Sequence, residues 1–129
     1  VSWVRGVAVE LPMLLVGYSF GSRCALEWAL GDDNVAAFIA IGMPVRVFDF
    51  AGIDTLGKPL AVVQGSQDEL GSPDEVRPVV ERAGGSLHVI DGASHLFPDQ
   101  ARDVALAVVS AARDLLSLPT RGLGSGHQT

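Results

Sequence analysis

The chain has 129 residues, the length of one domain, and can bury a substantial core. Hydrophobic residues make up 48% and charged residues 19%, a balance that excludes a disordered chain. The formal net charge of −6, with no basic run, argues against nucleic acid or an anionic membrane surface as a partner.

The opening stretch "VSWVRGVAVEL" reads as the middle of a helix, and the chain begins with Val1, so the start of a larger protein is expected to precede it. Arg5, Glu10 and Pro12 interrupt this apolar stretch, which falls far short of the roughly 20 residues of a membrane span. No basic n-region followed by a long apolar segment marks a secretion signal. Four short aliphatic segments then read as buried strands: 13–19 "MLLVGYS", 36–44 "AAFIAIGMP", 59–66 "PLAVVQGS" and 86–93 "SLHVIDGA". None alternates polar with apolar for long, the pattern of a parallel sheet covered on both faces.

Helical patterns lie between and after the strands. The first is 21–30, which stops at Gly31, with Cys24 read as a buried core thiol and Trp28, like Trp3, as a core or helix-packing residue. Asp32 and Asp33 follow as a solvated loop. The stretch from 45 to 58 has room for a loop and a short helix only. In 72–85, Ser72 suits an N-cap, Pro73 a first turn and Glu75 a capping box, unless Pro78 moves the start of the helix to itself. The last helix carries an apolar stripe at Ala101, Val104, Ala105, Val108, Ala112, Leu115 and Leu116, and Pro119 ends it. The domain therefore spans 1–118, and 119–129 reads as a disordered tail containing His127. The order of elements implies an α/β fold with about four parallel strands and helices on both faces.

Gly17-Tyr18-Ser19-Phe20-Gly21 has the form G-x-S-x-G and sits where the first strand gives way to a helix. A sharp turn there pushes a serine hydroxyl out at the sheet edge. Side chains at the flanking positions would collide, so glycine is expected at both Gly17 and Gly21. The backbone amide of Phe20, at the helix N-terminus, is placed to stabilise an oxyanion. A serine hydroxyl is a weak nucleophile and needs a base, which in turn needs a carboxylate. Asp68 in "GSQDEL" follows the third strand and His95 in "GASHLF" follows the fourth, so all three candidates fall at one edge of a parallel sheet. Glu69 and Asp49 are the alternative acids. His88 lies mid-strand.

The segments "LLVGYSFGS", "LAVVQGSQDEL" and "LHVIDGASHLF", in this order, resemble the C-terminal half of the α/β-hydrolase superfamily, in its small cap-less, dienelactone-hydrolase-like and esterase-like branch. The resemblance covers about residues 1 to 118. It implies that Ser19 is a nucleophile, His95 its base and then acid, and Asp68 the residue that orients the histidine. It also implies further strands before the elbow, one of whose loops supplies a second oxyanion donor; residues 1–12 read as a helix and hold no such loop.

The expected activity is that of a serine hydrolase acting through an acyl-enzyme on small ester-like molecules, with no metal or organic cofactor. A thioesterase, peptidase, lipase or acyltransferase would use the same residues. A non-catalytic scaffold that depends on a partner is the reading from another class. Its apolar edge strand, 13–19, would favour self-association. Cys24 is the only cysteine, which rules out an internal disulfide and suits a cytoplasmic, reducing location.

Overall fold

The computed structural model describes residues 13–124. The readings of 1–12 as a helix, of Trp3 as a packing residue and of 125–129, with His127, as a tail lie outside the described residues.

Four strands, β1 (Met13–Tyr18), β2 (Val35–Ile41), β3 (Leu60–Gly65) and β4 (Ser86–Ile90), form one sheet in the order β1-β2-β3-β4. Every neighbouring pair is parallel. Three helices accompany them: α1 (Phe20–Gly31), α2 (Pro73–Arg82) and α3 (Ala101–Gly124). A 3₁₀ turn at Ile53–Thr55 is the only helical piece of the β2–β3 connection, as the length of that stretch requires.

The central strands β2 and β3 are buried on both faces, which accounts for their lack of alternation. Phe38, Ala40, Leu60 and Val62 pack with Leu26 and Ala29 of α1 and Val76 and Val80 of α2. Ala37, Ile39, Ala61 and Val63 pack on the other side with Ala111 and Leu115 of α3. Among the described residues, β1 and β4 are the two edges of the sheet. β1 is correspondingly half-buried, with Val16 43% exposed.

Four details differ from the sequence expectation. The buried stripe of α3 is rotated: Ala107 and Ala111 join Val108, Ala112 and Leu115 in the packing, while Ala101, Ala105 and Leu116 are exposed. The first half of the helix stands off the sheet, and Ala101 and Ala105 line an apolar groove there instead. Second, α3 continues through Gly124, past Pro119. Proline deletes one hydrogen bond but its own φ is helical, so the residues after it can carry the helix on. Third, Asp32 is buried and tied down, accepting from Trp28 Nε1 at 2.9 Å and from the Asn34 amide at 2.9 Å, with its carbonyl accepting from Lys58 Nζ at 2.7 Å. Trp28 and Cys24 are exposed rather than core. α1 buries Ser22, Ala25, Leu26 and Ala29, and that leaves both on its outer side.

Pro78 does not move the start of α2, because the capping box is complete. Ser72 Oγ accepts from the Glu75 amide, and Glu75 Oε1 accepts from the Ser72 amide at 2.9 Å. The same Glu75 carboxylate accepts from Arg46 Nε at 2.9 Å, and Arg46 donates further to the Glu69 carbonyl. Arg46 thus ties the start of the β2–β3 connection to the first turn of α2 through an exposed ion pair, and to the loop between β3 and α2 through the Glu69 carbonyl. The Arg46 guanidinium and the Ser72 amide hold the Glu75 carboxyl down at about 2. Because that pKa is depressed in the fold, its stabilising effect is present above the ordinary Glu value of 4.5 and fades as pH falls through about 2. The wild type is therefore expected to unfold at higher urea than Glu75→Gln at pH 6, with the gap closing between about pH 4.5 and pH 2, followed by circular dichroism.

Candidate active site

Ser19 stands between the last residue of β1 and the first of α1, with φ 55° and ψ −122°. An L-residue occupies such a region only under constraint, at a cost of about 1–3 kcal/mol. The constraint is visible on both sides. The Ser19 amide donates to the Ile41 carbonyl at 2.9 Å, and the Ser19 carbonyl accepts from the Ser22 amide at 2.8 Å and from Ser22 Oγ. Sequence reasoning did not single out Ser22, a buried hydroxyl one turn into a helix.

The glycine expectation holds for one position only. A Cβ on Gly17 would lie 2.5 Å from the Gly21 carbonyl oxygen and 2.8 Å from Ser22 Cα. A Cβ on Gly21 would meet nothing within 4 Å. The crowding comes from the turn folding the start of α1 back over Gly17, so the contact needs a hydrogen at Gly17 and asks nothing of Gly21. Phe20 is the first residue of α1, and its amide is among the first-turn N–H groups that have no acceptor within the helix. The Phe20 ring is exposed and packs on Phe48, with centroids 5.1 Å apart.

The structure brings Ser19, Asp68 and His95 together beyond the C-terminal ends of β1, β3 and β4. Ser19 Oγ lies 2.8 Å from His95 Nε2. His95 Nδ1 lies 2.9 Å from Asp68 Oδ2 and 3.1 Å from Oδ1. Asp68 and His95 are buried, at 3% and 5% exposure. With its proton on Nδ1 the imidazole would donate to the carboxylate, and Nε2 would be placed to accept from the serine hydroxyl. Of the three acids considered, Asp68 is the one that meets the imidazole. Glu69 turns to the His95 backbone, its Oε1 accepting from that amide at 3.1 Å. Asp49 lines a separate hollow with Phe48, Ile53 and Arg82. His88 contacts Ser86 instead.

Asp68 is oriented by two partners besides the histidine. Its Oδ1 accepts from the Leu70 amide at 2.8 Å, and Gln64 Nε2 lies 3.3 Å from its Oδ2. Gln64 is fully buried within β3. It accepts from the Met43 amide at 2.9 Å and reaches the carbonyls of Met43 and Gly71 at 3.0 and 2.8 Å. The sequence signal was there: a glutamine inside "LAVVQG" is a polar group that a buried strand tolerates only if it is fully bonded. The acid and histidine loops are also laced together, Gln67 N to the Ala93 carbonyl at 2.8 Å and Gly92 N to Ser66 Oγ at 2.7 Å. The Tyr18 hydroxyl has its pKa raised, chiefly by burial and then by the charge of Asp68.

Among the described residues no helix is long and apolar enough to cross a membrane, and no group of three His, Cys, Asp or Glu side chains could hold a metal ion.

This combination of fold and site recurs in known proteins. A family model described as an alpha/beta hydrolase domain matches residues 1–111, and the chain belongs to that family. An uncharacterized protein of Rickettsia prowazekii is 27% identical over 105 residues, covering 74% of this chain and 44% of that protein. Among solved structures, a serine hydrolase homologue from Coxiella burnetii is 28% identical with a TM-score of 0.75, over 84% of this chain and 53% of that one. A serine hydrolase without a lid from Xanthomonas campestris is 27% identical with a TM-score of 0.74, over 87% and 51%. A structure from Agrobacterium tumefaciens shares the fold at 17% identity, with a TM-score of 0.82 over 90% and 56%. The chain spans about half the length of these relatives, and its four parallel strands and three helices are a partial α/β-hydrolase fold.

The two elbow glycines separate in a simple test. Gly17→Ala is expected to cost about 2–4 kcal/mol in urea unfolding, because backbone must move to admit the methyl. Gly21→Ala, in a helical turn with open space, is expected to be neutral or stabilising by up to about 1 kcal/mol. Equal effects would contradict the steric account.

Proposed function

We propose that this chain carries the machinery of a serine hydrolase that cleaves small carboxylic esters through an acyl-enzyme. The observation that carries the reading is the continuous relay from Ser19 Oγ to His95 to Asp68, at 2.8 and 2.9 Å, on a serine held in a strained turn. Its membership of the α/β-hydrolase family and its likeness to a serine hydrolase homologue of C. burnetii and a serine hydrolase of X. campestris support the same reading.

Ser19 Oγ adds to the ester carbonyl as His95 Nε2 takes the hydroxyl proton. The charge that develops on the carbonyl oxygen is met by the Phe20 amide at the positive end of α1. Asp68 stabilises the imidazolium so formed and keeps its proton-bearing Nδ1 in place. His95 then gives the proton to the leaving alkoxide, the carbon–oxygen bond breaks, and Ser19 is left acylated. Water, deprotonated by the same Nε2, releases the acid and restores the serine. No step calls for a metal or an organic cofactor. The exposed ring of Phe20, next to Ser19 and backed by the partly buried Phe48, gives the mouth of the site an apolar surface, which suits small uncharged esters over charged ones.

The same reading places the chain in the cytoplasm with a small-molecule substrate, and not on nucleic acid or a membrane. A net charge of −6 and a single, exposed thiol suit that setting. The open edge of β1 is the surface through which the chain would self-associate. Sedimentation velocity from micromolar to hundreds of micromolar should show a concentration-dependent dimer, and an unchanging monomer would remove that element of the proposal.

A fluorophosphonate probe tests the chemistry. The folded chain is expected to label covalently on Ser19, Ser19→Ala not to label, and His95→Ala to label about 10³-fold more slowly or worse. A folded chain that stays unlabelled would overturn the reading for this polypeptide.

A further inference from the structure

His95 belongs to a segment, 91–100, with neither helix nor strand, in which Phe97 and Asp99 hold φ of 51° and 61°. Turn bonds such as Ala93 N to the Ile90 carbonyl and Phe97 N to the Ser94 carbonyl shape the segment on either side of His95, but neither involves the backbone of His95 itself. Two side chains hold that backbone. Tyr18 Oη donates to the His95 carbonyl at 3.0 Å, and Glu69 Oε1 accepts from the His95 amide at 3.1 Å. Both backbone polar groups of one residue are thus held by side chains. Those side chains belong to the residues immediately before Ser19 and immediately after Asp68.

The Tyr18 ring also lies beside the imidazole, with centroids 6.0 Å apart and planes within 17°. Gly42, at φ +65°, leaves room for both rings: a Cβ there would come within 3.3 Å of His95 Cε1 and 3.5 Å of Tyr18 Cε1. The backbone amides of Glu69 itself and of His95 hold the Glu69 carboxyl below its ordinary range, so it is an anion at neutral pH. A carboxylate makes a stronger hydrogen bond to an amide than a neutral acceptor does.

We propose that Tyr18 and Glu69 are positioning residues that clamp the two peptide groups of His95 and so hold its imidazole between Ser19 and Asp68. The proposal rests on the triad reading above. The clamp makes the geometry of the three reactive groups mutually dependent. The residue that sets the elbow and the residue that follows the acid each reach the histidine directly. It matters for rate because His95 Nε2 must serve first Ser19 Oγ and then the leaving group, and a misplacement of about 1 Å can cost on the order of 10²-fold.

The test uses Tyr18→Phe, which removes only the hydroxyl, Glu69→Ala, which removes the acceptor, and Glu69→Gln, which keeps an oxygen acceptor. Each is made alone and together with His95→Ala. The readouts are the rate of fluorophosphonate labelling and the hydrolysis of p-nitrophenyl acetate. Tyr18→Phe and Glu69→Ala are each expected to lower kcat and the labelling rate about 5- to 20-fold with KM within about twofold, and Glu69→Gln to recover most of the loss. In the His95→Ala background the same changes are expected to cost nothing further, since they act through that imidazole. Wild-type rates in both single variants, or losses that persist undiminished without His95, would overturn the proposal.

Amide hydrogen exchange at His95 reads the clamp without any turnover. Exchange is expected to quicken about tenfold or more in Glu69→Ala and to stay slow in Glu69→Gln. If the wild type does not label at Ser19, the triad reading fails while exchange still judges the clamp. Unchanged exchange in Glu69→Ala overturns the clamp itself.

Discussion

Ser19 holds a backbone conformation that an L-residue adopts only when its surroundings over-determine it, and the site depends on that peptide staying where it is. The strain is distributed over two opposed attachments. On one side the Ser19 amide continues the ladder from β1 to β2, bonding the Ile41 carbonyl. On the other, Ser22 draws the Ser19 carbonyl into the first turn of α1 through both its amide and its hydroxyl. Sheet and helix pull the residue from opposite ends, and the crossing is tight enough that Gly17 has no room for a methyl. The product of that compression is a hydroxyl aimed at His95 and a helix N-terminus at the same point.

The acid and the histidine are placed by a different kind of structure. Neither lies in a strand or a helix, so no repeating ladder fixes them. Their order comes from side chains bonding to backbone. Gln64 ties Met43, Gly71 and the Asp68 carboxylate together, Asp68 caps the Leu70 amide, and Arg46 and Glu75 fasten the far end of the same loop to the start of α2. Buried polar groups of this kind are costly when half satisfied and rigid when complete. The network around Asp68 is complete enough that both carboxylate oxygens have partners besides the imidazole. The exposed Arg46–Glu75 pair adds orientation to this loop more than stability, as surface ion pairs do.

Much of this was legible in the sequence, and the parts that were not share a physical cause. Short unbroken aliphatic runs closed by Gly, Pro or Ser placed all four strands to within a few residues. The capping box at Ser72 and Glu75 located α2 despite Pro78. G-x-S-x-G, with Asp68 and His95 after later strands, was enough to single out the residues that converge, because a parallel sheet delivers its loops to one edge. What escaped was whatever depends on which face of an element meets its neighbour. The stripe of α3 was misread because Ala101 and Ala105 are apolar without being packed, and alanine carries no signal about its direction. Cys24 and Trp28 fall on the outer side of α1 because Ser22, Ala25, Leu26 and Ala29 take the inner one. Asp32 reads as solvated until Trp28 and Lys58 are seen to close over it, contacts that no local pattern encodes.

β2 shows how far function can rest on a strand that supplies no reactive group. Its last residue, Ile41, holds the Ser19 amide. The next, Gly42, bonds the Val63 carbonyl of β3 and, by lacking a side chain, leaves space for the rings of Tyr18 and His95. Met43, one further on, receives the Gln64 amide group that also supports Asp68. Three consecutive residues at the end of one central strand thus touch the supports of Ser19, His95 and Asp68 in turn. β1, β3 and β4 each contribute one member of the constellation, and none of the three is adjacent to both of the others in the sheet. Their common reference is the end of β2. A displacement there would shift all three groups together, whereas a change in any single loop would misalign only one. That asymmetry makes "IGMP" the segment whose backbone position the geometry of Ser19, His95 and Asp68 most requires, although it contributes none of the three.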